Sequence, residues 1–317
     1  AEDERVMRGN NGEWNINYMG MRGPALVLAA ALVVAAIALL AIKGLNFGLD
    51  FTGGTLVEVQ YAQPADLAQV RDSLAQGGFD DAVVQNFGTA YDVLVRIPPR
   101  DLSSAELSEQ VLRTLRGATG GVELQRVEFV GPQVGEELVE KGVLAMVYAL
   151  IGILIYVAFR FQFKFAVGAV AATVFDVVFT FGFLAATGLD FDLTALAAVL
   201  AVIGYSLNDT IVVFDRMREN FLRLRKAEPV EVMNTSLNQT MARTLLTSGT
   251  TLLVVLALLV LGGDTIKTFS VVLLVGILIG TFSSIYIAST VTLMLGVSKA
   301  DLMPPEKEGA EEAEELP

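Results

Sequence analysis

The sequence predicts a polytopic α-helical membrane protein: six transmembrane helices, with one ferredoxin-like α+β domain inserted between the first and the second. Three observations carry this expectation. Hydrophobic residues make up 53% of the 317, which on a soluble protein would leave large apolar patches facing water. Charge is clustered: long runs carry none, while the net charge of −13 falls mostly after the first apolar run and in the C-terminal tail. Finally, six apolar runs approach or exceed the ~20 residues that cross ~30 Å of hydrocarbon.

In chain order, residues 1–24 form a cytoplasmic N-terminal segment, and 25–42 the first span. Arg22 and Pro24 stand just before that run and Lys43 just after it. It is long for the apolar region of a cleaved signal and ends on no A-x-A site, so it reads as a retained helix. Residues 43–141 carry the inserted domain and its linkers. Residues 55–60 (TLVEVQ) alternate as a strand does, and 65–76 reads as a helix started by Pro64. Residues 82–87 and 91–97 read as strands around a turn containing Gly88. A helix follows over 103–115, with Ser103 or Ser104 as its cap and Glu106 in its first turn. Residues 122–130 form the last strand. The order β-α-β-β-α-β is the ferredoxin-like arrangement.

The five-helix region, 142–296, holds apolar runs at 142–159, 165–187, 194–214, 244–261 and 269–295. The loop at 160–164 carries Arg160 and Lys164, and the next loop on the same side carries Arg216, Arg218, Arg223, Arg225 and Lys226. The opposite short loops, 188–193 and 262–267, carry one basic residue between them, Lys267. The positive-inside rule therefore places both termini and the basic loops in the cytoplasm, and the inserted domain in the periplasm. The basic loop 215–240 reads as amphipathic helix against anionic headgroups, with Pro229 starting its second half. Residues 297–317 form an acidic tail whose sequence from Pro304, PPEKEGAEEAEELP, reads as disordered.

Composition removes several classes of function. The acidic balance argues against nucleic acid as a partner. With no Cys and no His, there is no thiolate metal site and no side chain that titrates near neutral pH by default. Proton chemistry falls to carboxylates, and no cofactor or metal is implied. No GxxxxGK[ST] or HExxH motif is present, so hydrolytic enzyme readings lack their residues.

The informative residues are polar groups inside the spans, where an ionised Asp costs roughly 2.5–3.5 kcal/mol on insertion scales and is retained when it faces protein. Asp176 lies in the third run, Asp209 in the fourth, and Arg243 opens the fifth with Thr247 one turn on. At about 1.5 Å per residue, Asp209 and Arg243 sit at similar depth, roughly 8 Å inside the membrane, and are expected to pair across adjacent helices. Such a pair acts as a proton switch or as a static lock, and the residues alone favour neither. Asp176 is expected to hydrogen-bond a neighbouring Ser or Thr. Gly168, Gly182, Gly204, Gly276 and Gly280 are expected at close helix contacts, the last two as a GxxxG pair. Ser206 and Asn208 are poorly suited to face lipid.

At this point a family resemblance emerges. Residues 48–54 (GLDFTGG) after the first span resemble the motif of the SecF family, the smaller membrane subunits of the SecD–SecF protein-export complex. The likeness continues through 85–88 (QNFG), 127–135 (VEFVGPQVG), 204–213 (GYSLNDTIVV), 215–216, 218–220 (REN), 238–240 (NQT), 243–245 (RTL) and 247–248. It covers about residues 40–296. It implies a relative of the resistance–nodulation–division transporters that uses the proton-motive force with SecD to promote late translocation of secretory proteins across the inner membrane. The partners it implies are SecD, the SecYEG channel, YajC, YidC, the translocating preprotein and the lipid bilayer. It assigns Asp209 and Arg243 to the proton path, with Thr247 one turn on; Asp176 is kept as a weaker candidate for that path on the residues alone. Some members of the family place a His before the third-span Asp; here Phe175 stands there, so no His–Asp relay is implied. Asp50, Thr52, Gly53 and Gly54 are expected to couple the first span to the inserted domain. A small-molecule or lipid efflux transporter of the same superfamily and a passive scaffold remain as alternatives.

Overall fold

In the computed structural model, residues 15–119, 121–224, 226–298 and 301 are described. Most of the predicted acidic tail, including the run from Pro304, and most of the N-terminal segment lie outside them. After one 3-10 turn, the first apolar run forms α1 (Arg22–Lys43). A short connection follows, with β1 (Asn46–Phe47) and the single-turn helix α2 (Leu49–Thr52). The inserted domain is β2 (Gly54–Tyr61), α3 (Leu67–Gln76), β3 (Val83–Phe87), β4 (Thr89–Ile97), α4 (Ser104–Thr119) and β5 (Val122–Val130). The remaining spans are α5 (Pro132–Arg160), α6 (Phe163–Thr187), α7 (Leu193–Arg223) and α8 (Pro229–Leu261), with β6 (Asp190–Phe191) between α6 and α7. The last span is α9 (Lys267–Phe282), a π stretch at Ser283–Ala288, and α10 (Ser289–Met294). Among the described residues, six helices are long and apolar enough to cross a membrane.

The four-stranded sheet runs β3-β4-β2-β5 with every neighbouring pair antiparallel, which is the split βαβ order of a ferredoxin-like domain. Alternation decides which residues face the helices: Val57, Val59, Val93, Val95 and Ile97 pack on Val70 and Leu74 of α3 and Leu107, Val111 and Leu115 of α4. The opposite face, with Leu56, Leu94 and Arg96, turns toward the membrane helices. The first helix starts two residues later than predicted. Asp66, not Pro64, supplies its start, accepting the Ala68 N–H at 2.9 Å. The second begins in a capping box: Ser103 Oγ accepts the Glu106 N–H at 3.3 Å, and Glu106 accepts the Ser103 N–H at 3.1 Å.

In the membrane region, α6, α7 and the last span form the interior, and α1, α5 and α8 lie mostly on the outside. Glycines set the close approaches. A Cβ on Gly182 would lie 2.2 Å from Ala36 Cβ, and one on Gly276 would lie 2.0 Å from Val202. Gly276 and Gly280 thus form a groove on α9 that receives Val202 and Ser206 of α7, while Gly168 receives Thr292. Gly204 departs from expectation: it is exposed on α7 and meets nothing within 4 Å. The segment 215–240 is largely helix, as expected, with Pro229 starting the second half, because α7 and α8 continue past the apolar runs. Their extensions are held by polar side chains. Gln239 Oε1 accepts from Arg216 Nε at 2.7 Å and Asn220 Nδ2 at 2.8 Å, and Asn220 also donates to Ser236.

Candidate functional site

Helix α7 turns one face inward along Val199, Val202, Ile203, Ser206, Asp209, Thr210 and Val213, a 3–4 spacing that a 3.6-residue helix aligns. Asp209 is 1% exposed. Ser248 of α8 donates to its Oδ2 at 3.5 Å, and Ser248 lies 3.3 Å from the Thr281 hydroxyl of α9. Three helices therefore meet at one carboxyl.

The expected Asp209–Arg243 pair is not formed. The buried stripe of α8 runs through Ser236, Leu237, Thr240, Met241, Thr244 and Ser248. Arg243 lies one residue, about 100°, off that stripe. It is exposed and makes no ion pair among the described residues. Thr247 is turned back onto its own helix, donating to the carbonyls of Arg243 and Thr244 at 3.0 Å. Equal depth was a sound inference, but depth says nothing about which way a side chain faces. The 3–4 repeat of Thr244 and Ser248 with Leu237 and Met241 was the signal that could have found Ser248.

Asp176 is 0% exposed. Its Oδ2 accepts from Ser206 Oγ of α7 and, at 2.9 Å, from Ser283 Oγ, the first residue of the π stretch. Beyond it, Thr210 and Ser284 hydroxyls lie 2.9 Å apart and Ser284 donates to the Ser206 carbonyl. The expected hydrogen bond to a hydroxyl is present, from two serines distant in sequence.

The 50–54 motif sits where the inserted domain meets the membrane helices. Asp50 accepts the Leu193 N–H at 3.0 Å, so a residue of the motif helps cap α7, the helix that carries Asp209. Asp192 caps the same helix through the Ala195 N–H at 2.7 Å. Thr52 donates to the Gly48 carbonyl and closes the turn of α2. Gly53 and Gly54 have φ of 65° and 113°. A Cβ on Gly54 would lie 2.3 Å from the Ile97 carbonyl oxygen, and Gly53 packs against Val130 and Pro132. Only glycine combines those angles with that approach.

A second contact here escaped sequence reasoning. β1 and β6 pair in parallel, Asn46 with Asp190 and Phe47 with Phe191. Arg96 of β4 reaches down from the sheet to the Phe47 carbonyl at 2.6 Å and to Asp190 Oδ2 at 2.7 Å, while Gln85 of β3 donates to Asp190 at 3.2 Å. Asn46 donates to the other oxygen of the same carboxylate. Burial holds the Asp190 carboxyl above its ordinary range, and Arg96 and Gln85 offset only part of that rise. The one clue was an arginine inside the otherwise apolar strand VLVRI. At the far end of the bundle, Asn238 clamps Ile16 by both backbone groups at 2.8 Å, tying the N-terminal segment to α8.

Residues 110–298 match the family described as "Protein export membrane protein SecD/SecF, C-terminal", and residues 38–65 match the "SecD/SecF GG Motif". The protein translocase subunit SecF of Pseudomonas aeruginosa is 54% identical over 92% of this chain and 95% of its own. The SecF subunit of Escherichia coli O157:H7 is 42% identical over the full length of both. The crystal structure of SecDF from Thermus thermophilus, a translocon-associated membrane protein, superposes with a TM-score of 0.79 at 38% identity, covering 89% of this chain and 38% of that one.

Proposed function

Because the chain belongs to the SecD/SecF family of protein-export membrane proteins, we propose that it acts as the SecF-type half of an export motor. Together with SecD it uses the proton-motive force to promote the late movement of secretory proteins across the inner membrane. Its termini face the cytoplasm and its inserted domain the periplasm, in keeping with Arg216, Arg218 and Arg223 gathering at the bundle end away from that domain. SecD is the direct partner, and SecYEG, YajC, YidC and the translocating preprotein complete the setting.

The observation that carries this reading is Asp209, a carboxyl enclosed among hydroxyls at the junction of three spans with no cation against it among the described residues. Arg243 adds support. It stands exposed on the outer side of α8, and α7 is open along the small or polar residues Ala197, Ala201, Gly204 and Asn208. A second six-helix half packed there covers that face and brings its own groups to Arg243, so the proton switch forms between halves rather than within one. Asp209, Arg243 and Thr247 then form the path, with Asp176 behind them. A proton crossing 100 mV releases about 2.3 kcal/mol, enough to bias a helix rearrangement. Asp50 and Asp192, at the start of α7, couple that helix to the inserted domain.

The test is export of a secretory precursor into inverted membrane vesicles carrying this chain and SecD. Asp209→Asn is expected to abolish the gradient-dependent part of export while the two subunits stay assembled. Unchanged export would reduce Asp209 to a packing residue.

A further inference from the structure

Asp176 differs from Asp209 in being sealed within this chain alone. Its carboxyl lies where α6 meets α7 and the π stretch, two helices away from the exposed Arg243. Both serine hydroxyls donate to Oδ2, while Oδ1 is buried and meets no donor. The elements packed on α6 offer no compensating cation. α1 carries charge only at Arg22 and Lys43, α5 only near its two ends, α6 itself only at Lys164, and the last span only at Lys267. Lys164 is engaged with Asp301 and the Gly296 carbonyl. The one charged group of α7 within the apolar run is Asp209. Tyr205 and Tyr286 are the titratable hydroxyls of α7 and the π stretch, and neither bonds Asp176; Tyr148 and Tyr156 of α5 point outward.

An ionised carboxylate in that setting leaves a full charge without a cation and one oxygen without a donor. The neutral acid leaves at most one O–H unpaired, a much smaller penalty. The position is not isolated from the transport site. Ser206 lies one turn from Asp209 on α7, and Ser283 follows two residues after Thr281, which contacts Ser248 beside Asp209. Both carboxyls hang on the same two helices. The π stretch begins at Ser283, and such stretches have weaker hydrogen-bond geometry and occur at functional sites.

We propose that Asp176 is a second proton-binding site of this chain, loaded in the arrangement described here and emptied when α7 and the π stretch shift against α6. The exchange is a plain acid–base step. The carboxyl O–H bond breaks, the proton passes to a water admitted by the shift, and a carboxylate of charge −1 remains, held by the Ser206 and Ser283 hydroxyls. The proposal rests on the proton-driven reading of the family fold and deepens it, giving Asp176, which stands behind Asp209 in that path, a loading and release step with its own readout.

That readout is infrared difference spectroscopy of the chain with SecD in lipid bilayers, following the carbonyl stretch of protonated carboxyl groups at neutral pH. A band that persists in Asp209→Asn and vanishes in Asp176→Asn is the expected result, together with loss of gradient-dependent export in assembled Asp176→Asn complexes. A spectrum unchanged by Asp176→Asn means that Asp176 is ionised and overturns the proposal. Normal export by that variant makes the residue a fixed pin and overturns it equally. Should Asp176→Asn not assemble, Ser206→Ala decides: removing a donor from the carboxyl moves its band to higher frequency, and an unmoved band counts against the assignment. If Asp209→Asn exports normally, the proton-driven reading itself fails, whatever the band at Asp176 reports.

Discussion

Two adjacent glycines show how much a single residue carries here. Gly54 has both a positive φ and a carbonyl oxygen 2.3 Å from where a Cβ would stand, so Gly54→Ala meets strain and collision together. A cost of about 1–3 kcal/mol from the backbone alone is expected, with the collision added. Gly53→Ala, whose nearest neighbours are at 3.3 Å, is expected to cost about 1–2 kcal/mol. Gly204→Ala, which meets nothing within 4 Å, should fall within about 0.5 kcal/mol of wild type in the isolated chain. Thermal unfolding in detergent ranks the three, and a Gly54 variant as stable as the Gly204 one would refute the geometry. The same scale explains why Arg243 does not pair with Asp209 within this chain: a side chain's depth follows from counting, but its direction follows from the residue's phase on the helix.

At the scale of elements, helix α4 is the cleanest case of sequence chemistry producing structure. Its capping box joins Ser103 and Glu106 in both directions, and those hydrogen bonds hold the Glu106 carboxyl below its usual range. A lowered carboxyl stabilises the fold when ionised. The contribution is therefore complete at neutral pH and fades as the pH falls through the ordinary glutamate range. Ser103→Ala is expected to cost about 1 kcal/mol. Chemical denaturation at neutral and acid pH checks both points: the difference between wild type and Glu106→Gln should shrink in acid, and a constant difference would contradict the box. Helix α9 shows the opposite situation. Its Gly276–Gly280 spacing announces a close contact, but the partner, Val202 and Ser206 of α7, is known only once the bundle is assembled.

For the whole molecule, the central question is how a soluble domain is held on a membrane bundle. Arg96 and Gln85 of the sheet bind Asp190 and the Phe47 carbonyl, and Asp50 binds the start of α7. The Arg96 and Asp190 side chains are 10% and 21% exposed, so salt screens this ion pair weakly. Arg96→Ala strips a partly buried carboxylate of its cation and is expected to loosen docking by about 1–3 kcal/mol. Hydrogen exchange should accelerate at Asn46–Phe47 and Asp190–Phe191 while β2 and β4 stay protected. Uniform acceleration across the sheet would instead mean that Arg96 supports the domain's own fold.

The sequence by itself determined the six spans and the β-α-β-β-α-β order, narrowed the cap of α4 to Ser103 or Ser104 with Glu106 in the first turn, and marked Gly53 and Gly54 as part of a turn after the first span. Each of these depends on local quantities: hydrophobic length, period, turn chemistry and a residue's own torsions. It also showed that Asp176 and Asp209 had to face protein, because lipid offers an ionisable group nothing. Only the tertiary structure decided what they face. Ser206 and Ser283 come to Asp176, Ser248 comes to Asp209, Arg243 turns outward, and Arg96 crosses from the sheet to Asp190. These partners lie from 30 to 107 residues apart in the chain. Pairings at that range are set by helix phase and by which glycine groove receives which ridge, and neither is written in the neighbourhood of the residues it joins.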